Sequence, residues 1–317
     1  MVCKELPSLQ VRSAEEDGLR SHFERKVEKI GEDEPGYVVT PIMGLTFGPK
    51  ASVRHGCRAN FQRHQREKVS DPFSTDRHHA LLEKLGLGLW TEYDASILGR
   101  ALVERSPKHL KDWTYDIAGL SITCYSGIYH PDVNSSSMFI LRHLLDQALF
   151  PTPPENILEI GTGCGAIILA LRQFLGTGQY TAVDIDAASI HCAEANATRN
   201  GIPIRFLESD LFSAVPGERY QTVIFNLPLY AGPVDTGLAP ELHGKLCDYR
   251  GELMERFMME LPKHLTDNGC AYLAVSNTGY LAALDHPDFH IEVIAFERFL
   301  TGFMRILIRL EYRGILA

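Results

Sequence analysis

The sequence predicts an α/β protein: a mostly parallel sheet of seven strands ending in an antiparallel hairpin, with a mostly helical region in front of it. Three observations carry this. After Pro153-Pro154, strand-like and helix-like segments alternate strictly, which means a parallel sheet with helices on both faces. The first strand-to-helix turn holds Gly161, Gly163 and Gly165. The tail, "FHIEVIAFERFLTGFMRILIRLEYR", has two strand-like runs and no room for a crossover helix, so the two must pair antiparallel.

In chain order, residues 1–114 read as a mostly helical accessory domain for substrate recognition. Helices are expected at Ala14–Ile30, His78–Leu85 and Tyr93–Arg105, with Trp90 and Trp113 packing among them. Lys50–Lys68 is locally basic, with six Lys/Arg against the single acid Glu67, and reads as a solvated face or an anion site. Residues 115–317 form the second domain. Its start, "YDIAGLSITCYSGIYHP", suggests a hairpin broken by glycine. "NSSSMFILRHLLDQALF" opens with capping candidates and continues at helical spacing. Strand Ile157–Ile160 then leads to helix Ala166–Leu175, which Gly176 can end. Strand Tyr180–Val183 leads to helix Asp186–Asn200, with Asp186 a plausible N-cap and Gly201 beyond its end. Strands Ile204–Leu207 and Thr222–Phe225, helix Gly251–Leu265 and strand Cys270–Val275 complete the alternation.

Composition narrows the function classes. The chain has 317 residues, 45% hydrophobic and 22% charged, as ordinary globular proteins do. A net charge of -9 argues against a nucleic-acid partner, since a duplex binder needs a basic face. The seven cysteines are scattered, with no C-x-x-C pair, which suits reduced thiols in the cytoplasm better than a disulfide frame or a metal site. No apolar run approaches the ~20 residues of a membrane span, and the N-terminus lacks the apolar core of a secretory signal.

The glycine turn has two readings. A ligand at the carboxyl ends of such strands passes close to this backbone, and glycine permits the approach. Gly161-x-Gly163-x-x-Ala166 fits a relaxed dinucleotide fingerprint, and Asp184 could meet the ribose of either cofactor class. Three features favour S-adenosylmethionine over a nicotinamide. Glu159, two residues before Gly161, suits a cationic methionine moiety and would repel a pyrophosphate. Asp210 ends the third strand, where a carboxylate can accept from an adenine amino group. The fourth strand ends in Asn226-Leu227-Pro228-Leu229-Tyr230, for which hydride transfer has no evident use.

In order and spacing, "GTGCGAIILAL", "VDIDAASIHCAEANATRNGI", "ESDLF" and "NLPLY" resemble the HemK/PrmC-like N-methyltransferases, and "GIYHPDVNSS" looks like their Y-x-P-x-x-D-[ST] segment with Asn134 replacing the acid. The resemblance covers Leu120 to Tyr312. It implies the class I methyltransferase fold, S-adenosylmethionine as cofactor and no metal. Carried over position by position, it implies cofactor contacts from Tyr129, Ser135, Glu159, Gly161, Thr162, Gly163, Gly165, Asp184, Ile185, Asp210, Leu211 and Asn226. Asn226, Pro228 and Tyr230 would meet the methyl acceptor.

Such an acceptor is a planar nitrogen whose lone pair is delocalised. The Asn226 side-chain oxygen and the Leu227 or Pro228 carbonyl could each accept one N–H bond and aim the lone pair, with proline holding the turn rigid. Leu227 stands where the family has its first proline, and Leu229 fills the aromatic slot, so Tyr230 stacks on the acceptor only if the turn is displaced. Asp235, Glu241, His243, Lys245 and Asp248, in the insertion that follows, could read substrate charges or be solvated. The expected activity is N-methylation of an amide or guanidine on a protein, a peptide or a small metabolite. RNA adenine methylation, nicotinamide chemistry and an inactive cofactor-binding protein are the alternatives.

Overall fold

The computed structural model describes residues 76–87, 108–230, 244–248, 251–279, 281–299 and 303–313. The expected helices at Ala14–Ile30 and Tyr93–Arg105 lie outside them, as do Lys50–Lys68, Trp90, Asp235, Glu241 and His243.

Helix α1 spans Asp76–Lys84, and a two-stranded hairpin follows from β1 (Trp113–Ile117) and β2 (Leu120–Cys124). Ala118 and Gly119 turn it with φ of 53° and 80°, the positive pair that a tight two-residue turn requires. Trp113 is 37% exposed at the open end of the hairpin. Tyr115 and Ile117, at alternate positions of the same strand, are its buried residues.

Helix α2 (Ser136–Leu144) leads into β3 (Asn156–Ile160), α3 (Ala166–Leu175), β4 (Gln179–Asp184), α4 (Ala187–Asn200), β5 (Arg205–Glu208) and β6 (Tyr220–Asn226). Then come α5 (Glu252–His264), β7 (Leu265–Ser276), β8 (Phe289–Arg298) and β9 (Met304–Tyr312). Seven strands form one sheet in the order β5-β4-β3-β6-β7-β9-β8. The first five run parallel, and β9 is antiparallel to both β7 and β8. This is the predicted sheet with its C-terminal hairpin. The expected caps are also present: Asp186 accepts from Ala188 N–H at 3.0 Å, and Gly201 and Gly176 end their helices. Strand β7 begins five residues before the expected Cys270, because Leu265 already pairs with Tyr220 ahead of an irregularity in the ladder.

Alternate residues of each central strand enter two cores, as the pleat demands. Leu158, Ile160, Val223 and Phe225 pack with α5 and with Leu81, Leu82 and Leu87 at α1, so the helix expected at His78–Leu85 sits on the sheet. Ile157, Ala182 and Ile224 face the hairpin, α2, α3 and α4. Two asparagines tie the hairpin to α4. Asn196, fully buried, donates to the carbonyls of Thr123 (2.7 Å) and Cys164 (2.9 Å) and accepts Thr123 N–H (2.9 Å). One turn on, Asn200 exchanges two 3.0 Å bonds with the Ser121 backbone. Asparagines four apart share a helix face, and here they pair with the edge of β2 as a further strand would. Among the described residues, no helix is long and apolar enough to cross a membrane.

Candidate functional site

The carboxyl ends of β3, β4 and β6 open onto a cavity of about 620 Å³, the crevice in which open α/β sheets bind ligands. Its floor is the glycine turn. Gly161 and Gly163 hold φ of 66° and 56°, and a Cβ on Gly161 would meet the Phe225 ring at 3.3 Å. Gly165, between the lining residues Cys164 and Ala166, starts α3, and a Cβ there would meet Ala193 at 3.1 Å. Its smallness serves the packing of α3 against α4.

Three N–H groups of the turn are engaged. Thr162 N–H donates to Val183 O (3.1 Å) and Gly165 N–H to Thr162 O (2.9 Å). Gly163 N–H donates to the Asp184 carboxylate at 2.8 Å. Carboxyls gather at the crevice. Glu159 is 1% exposed and accepts the Thr162 hydroxyl at 2.6 Å. Burial lifts its pKa well above the usual carboxylate range, against the Thr162 bond. Burial also raises Asp184, opposed by the N–H bonds from Asp186 and Gly163. Buried carboxyls with raised pKa values disfavour an anion and are relieved by a cation. The acid-rich lining therefore fits a sulfonium-bearing ligand.

The rest of the predicted cofactor set lines the same cavity. Ile185 is 69% exposed, an apolar side chain at the end of β4 that a planar base could cover. Leu211 is buried at φ 49°, with its carbonyl accepting from the Ser209 hydroxyl at 2.9 Å. Asp210 also borders the cavity, but it is paired with Arg256 of α5 at 2.7 Å; that cation was not foreseen beside it. Ser135 caps α2 by accepting Met138 N–H at 3.1 Å. The Tyr129 hydroxyl accepts Ser136 N–H at 3.3 Å, and its ring stacks on His109 with centroids 5.4 Å apart.

At the tip of β6, Asn226 is half-buried. Its Nδ2 donates to Ser137 Oγ at 3.2 Å, while Oδ1 is buried with no hydrogen-bond partner. An unmet buried acceptor is costly and calls for an explanation. Pro228 follows, also half-buried and lining the cavity. The Leu229 carbonyl is held by the Ser276 and Thr278 hydroxyls from the end of β7. Tyr230, which would stack on the acceptor if the turn were displaced, lines the cavity; its ring stacks on Phe303, with centroids 5.7 Å apart, and its backbone pairs with Leu246 and Asp248. The extra leucine moves the aromatic one place along, and Leu229 takes the slot.

Two residues of the insertion have structural duties. Asp248 caps α5 by accepting the N–H groups of Leu253 (2.9 Å) and Met254 (3.0 Å), so it is not free to read a substrate. Lys245 spans the crevice, donating to Asp186 at 2.8 Å and to the Gly127 carbonyl at 2.7 Å. Three contributors were missed in the sequence. Ser137 was hidden in a run of serines that reads as helix capping. Arg305, buried in β9, donates to the Asn134 carbonyl at 3.0 Å and pairs with Glu297 at 3.0 Å. His130 lines the cavity with the Tyr115 hydroxyl on its Nδ1 at 2.9 Å. Burial, then His109, lowers its pKa to about 4.

The family model described as the methyltransferase small domain matches residues 120–286. A protein of Methanocaldococcus jannaschii, assigned provisionally as a protein N5-glutamine methyltransferase, is 30% identical over 167 residues, which are 51% of this chain and 79% of that protein. A release factor glutamine methyltransferase of Koribacter versatilis is 36% identical over 95 residues, 29% of this chain and 34% of that one. The match thus spans about a third of the second relative's length. Among solved structures, a T. thermophilus 16S rRNA N2 G1207 methyltransferase superposes with a TM-score of 0.50 at 17% identity, over 64% of this chain and 50% of that one. That likeness is one of fold.

Proposed function

The chain belongs to the methyltransferase small domain family, and on that footing we propose that it methylates the side-chain amide nitrogen of glutamine in a protein or peptide, with S-adenosylmethionine as donor. The observation that carries the reading is the Asn226 Oδ1, buried and without a partner beside the glycine turn. An acceptor amide brings the missing N–H. The names of the two glutamine-methylating relatives support the same acceptor.

When bound, S-adenosylmethionine supplies a methyl group already activated by a sulfonium, so neither a metal nor a covalent nucleophile is needed. The chain's own residues position and shield. Glu159, Gly161, Thr162, Gly163, Asp184, Ile185 and Leu211 would hold the cofactor. Asn226 Oδ1 accepts one N–H of the acceptor, and a backbone carbonyl of the Leu227–Pro228 turn accepts the other. Together they draw the nitrogen out of conjugation and fix the direction of its lone pair. Positioning of this kind can supply most of the acceleration. We assign residues 115–317 to transfer and residues 1–114 to acceptor recognition, with α1 as the mooring between them. The setting is the cytoplasm, in keeping with cysteines that form no disulfide among the described residues.

The test is mass spectrometry after incubation with labelled cofactor and separate pools of glutamine peptides, free amino acids and RNA. A methyl group on a glutamine side-chain nitrogen is expected. Label appearing only in RNA would overturn the acceptor class.

A further inference from the structure

An asparagine amide has two ends of nearly equal shape and opposite hydrogen-bonding sense. Turned one way, Asn226 offers the acceptor an oxygen; turned the other, it offers an NH₂ group that repels an incoming N–H. We propose that Ser137 anchors the amide at its nitrogen end, and so acts as a positioning residue for methyl transfer. The proposal rests on the functional reading above.

The geometry supports it at three points. Ser137 is 8% exposed and lines the cavity. Its Oγ receives Asn226 Nδ2 at 3.2 Å, which leaves Oδ1 as the unpartnered end. With the hydroxyl as acceptor, the protein consumes a donor of the amide and keeps an acceptor in reserve. An incoming NH₂ group needs that polarity. Ser137 is itself held in place. It lies in the first turn of α2, whose N-cap is Ser135, and Arg305 grips the approach to that turn through the Asn134 carbonyl at 3.0 Å. A serine fixed to α2 thus orients an asparagine at the tip of β6, 89 positions away in the chain.

Two arms test this on the full chain. In the first, Ser137→Ala, Ser137→Thr and Asn226→Ala are compared for turnover on whichever pool the wild-type protein methylates, and for S-adenosylhomocysteine affinity by calorimetry. Ser137→Ala should lower kcat about tenfold, the loss of one oriented hydrogen bond, with affinity changed less than twofold. Ser137→Thr, which keeps the hydroxyl, should restore most of the rate. In the Asn226→Ala background, Ser137→Ala should have no further effect. Additive losses would overturn the proposal.

The second arm needs no acceptor. The Asn226 side-chain NH₂ resonances, identified by their loss in Asn226→Ala, should move in Ser137→Ala and stay in place in Ser137→Thr. If they are indifferent to Ser137→Ala, the proposal is wrong. Should the wild-type protein methylate something other than glutamine, the acceptor class falls, while both arms still decide the role of Ser137.

Discussion

The Asp184 carboxylate accepts the backbone N–H of Gly163 at 2.8 Å, so the tip of β4 and the glycine turn are locked to each other. The same carboxylate takes Asp186 N–H at 3.0 Å, where α4 begins. One side chain thus shapes the floor of the crevice. Asp184→Asn should weaken S-adenosylmethionine binding ten- to a hundredfold, roughly the value of hydrogen bonds to a charged group. Calorimetry checks this, with NADH as a control that should not bind.

Gly161 and Gly165 both hold positive φ, and substitution should separate their roles. At Gly165 a Cβ would crowd Ala193 at 3.1 Å. Gly165→Ala should therefore cost about 2–4 kcal/mol of stability, from backbone strain plus overpacking, read by urea denaturation. At Gly161 the clash is with the Phe225 ring at 3.3 Å, at the cavity floor. Gly161→Ala should cost less stability and lower cofactor affinity more.

Asn196 joins α4, β2 and the glycine turn while fully buried. Asn196→Ala strips partners from the Thr123 backbone and the Cys164 carbonyl. A loss of about 3 kcal/mol is expected from polar groups left unsatisfied. The urea midpoint should fall with an unchanged slope; a midpoint within error of wild type would show that water replaces the amide.

His130 should make stability depend on pH. Its pKa is about 4 in the folded protein against an ordinary 6.5. Between those values the unfolded chain binds the extra proton, so stability falls as pH drops from 6.5 towards 4 and this contribution then levels off. The full span is worth on the order of 3 kcal/mol. Glu159 contributes with the opposite sign, since its raised pKa costs stability above the usual carboxylate range. The comparison is therefore made against His130→Asn, whose stability should fall less across the same window.

How legible all this was depended on range. The sheet, its order of elements and the caps at Asp186, Gly176 and Gly201 follow from local pattern: alternation, helical spacing and glycine placement. The cofactor side of the site was legible because motif residues sit at strand ends, which the topology brings together. Pairings across long stretches of chain left no local trace. Arg256 reaches Asp210 over 46 positions, Asp248 caps a helix from inside a polar loop, and Ser137 looked like its serine neighbours. The placing of Tyr230 has a geometric reason. One inserted leucine shifts the ring by a residue, which in an extended segment turns it towards Phe303.

The proposed function requires that the Asn226 amide hold the acceptor nitrogen while the glycine turn holds the donor. Single-turnover methylation of a glutamine peptide by Asn226→Ala, alongside its affinity for S-adenosylhomocysteine, tests it most directly. The claim predicts a rate reduced a hundredfold or more, about the effect of losing one preorganised hydrogen-bonding group, with affinity within a few-fold of wild type. A wild-type rate, or a loss of affinity as large as the loss of rate, would contradict it.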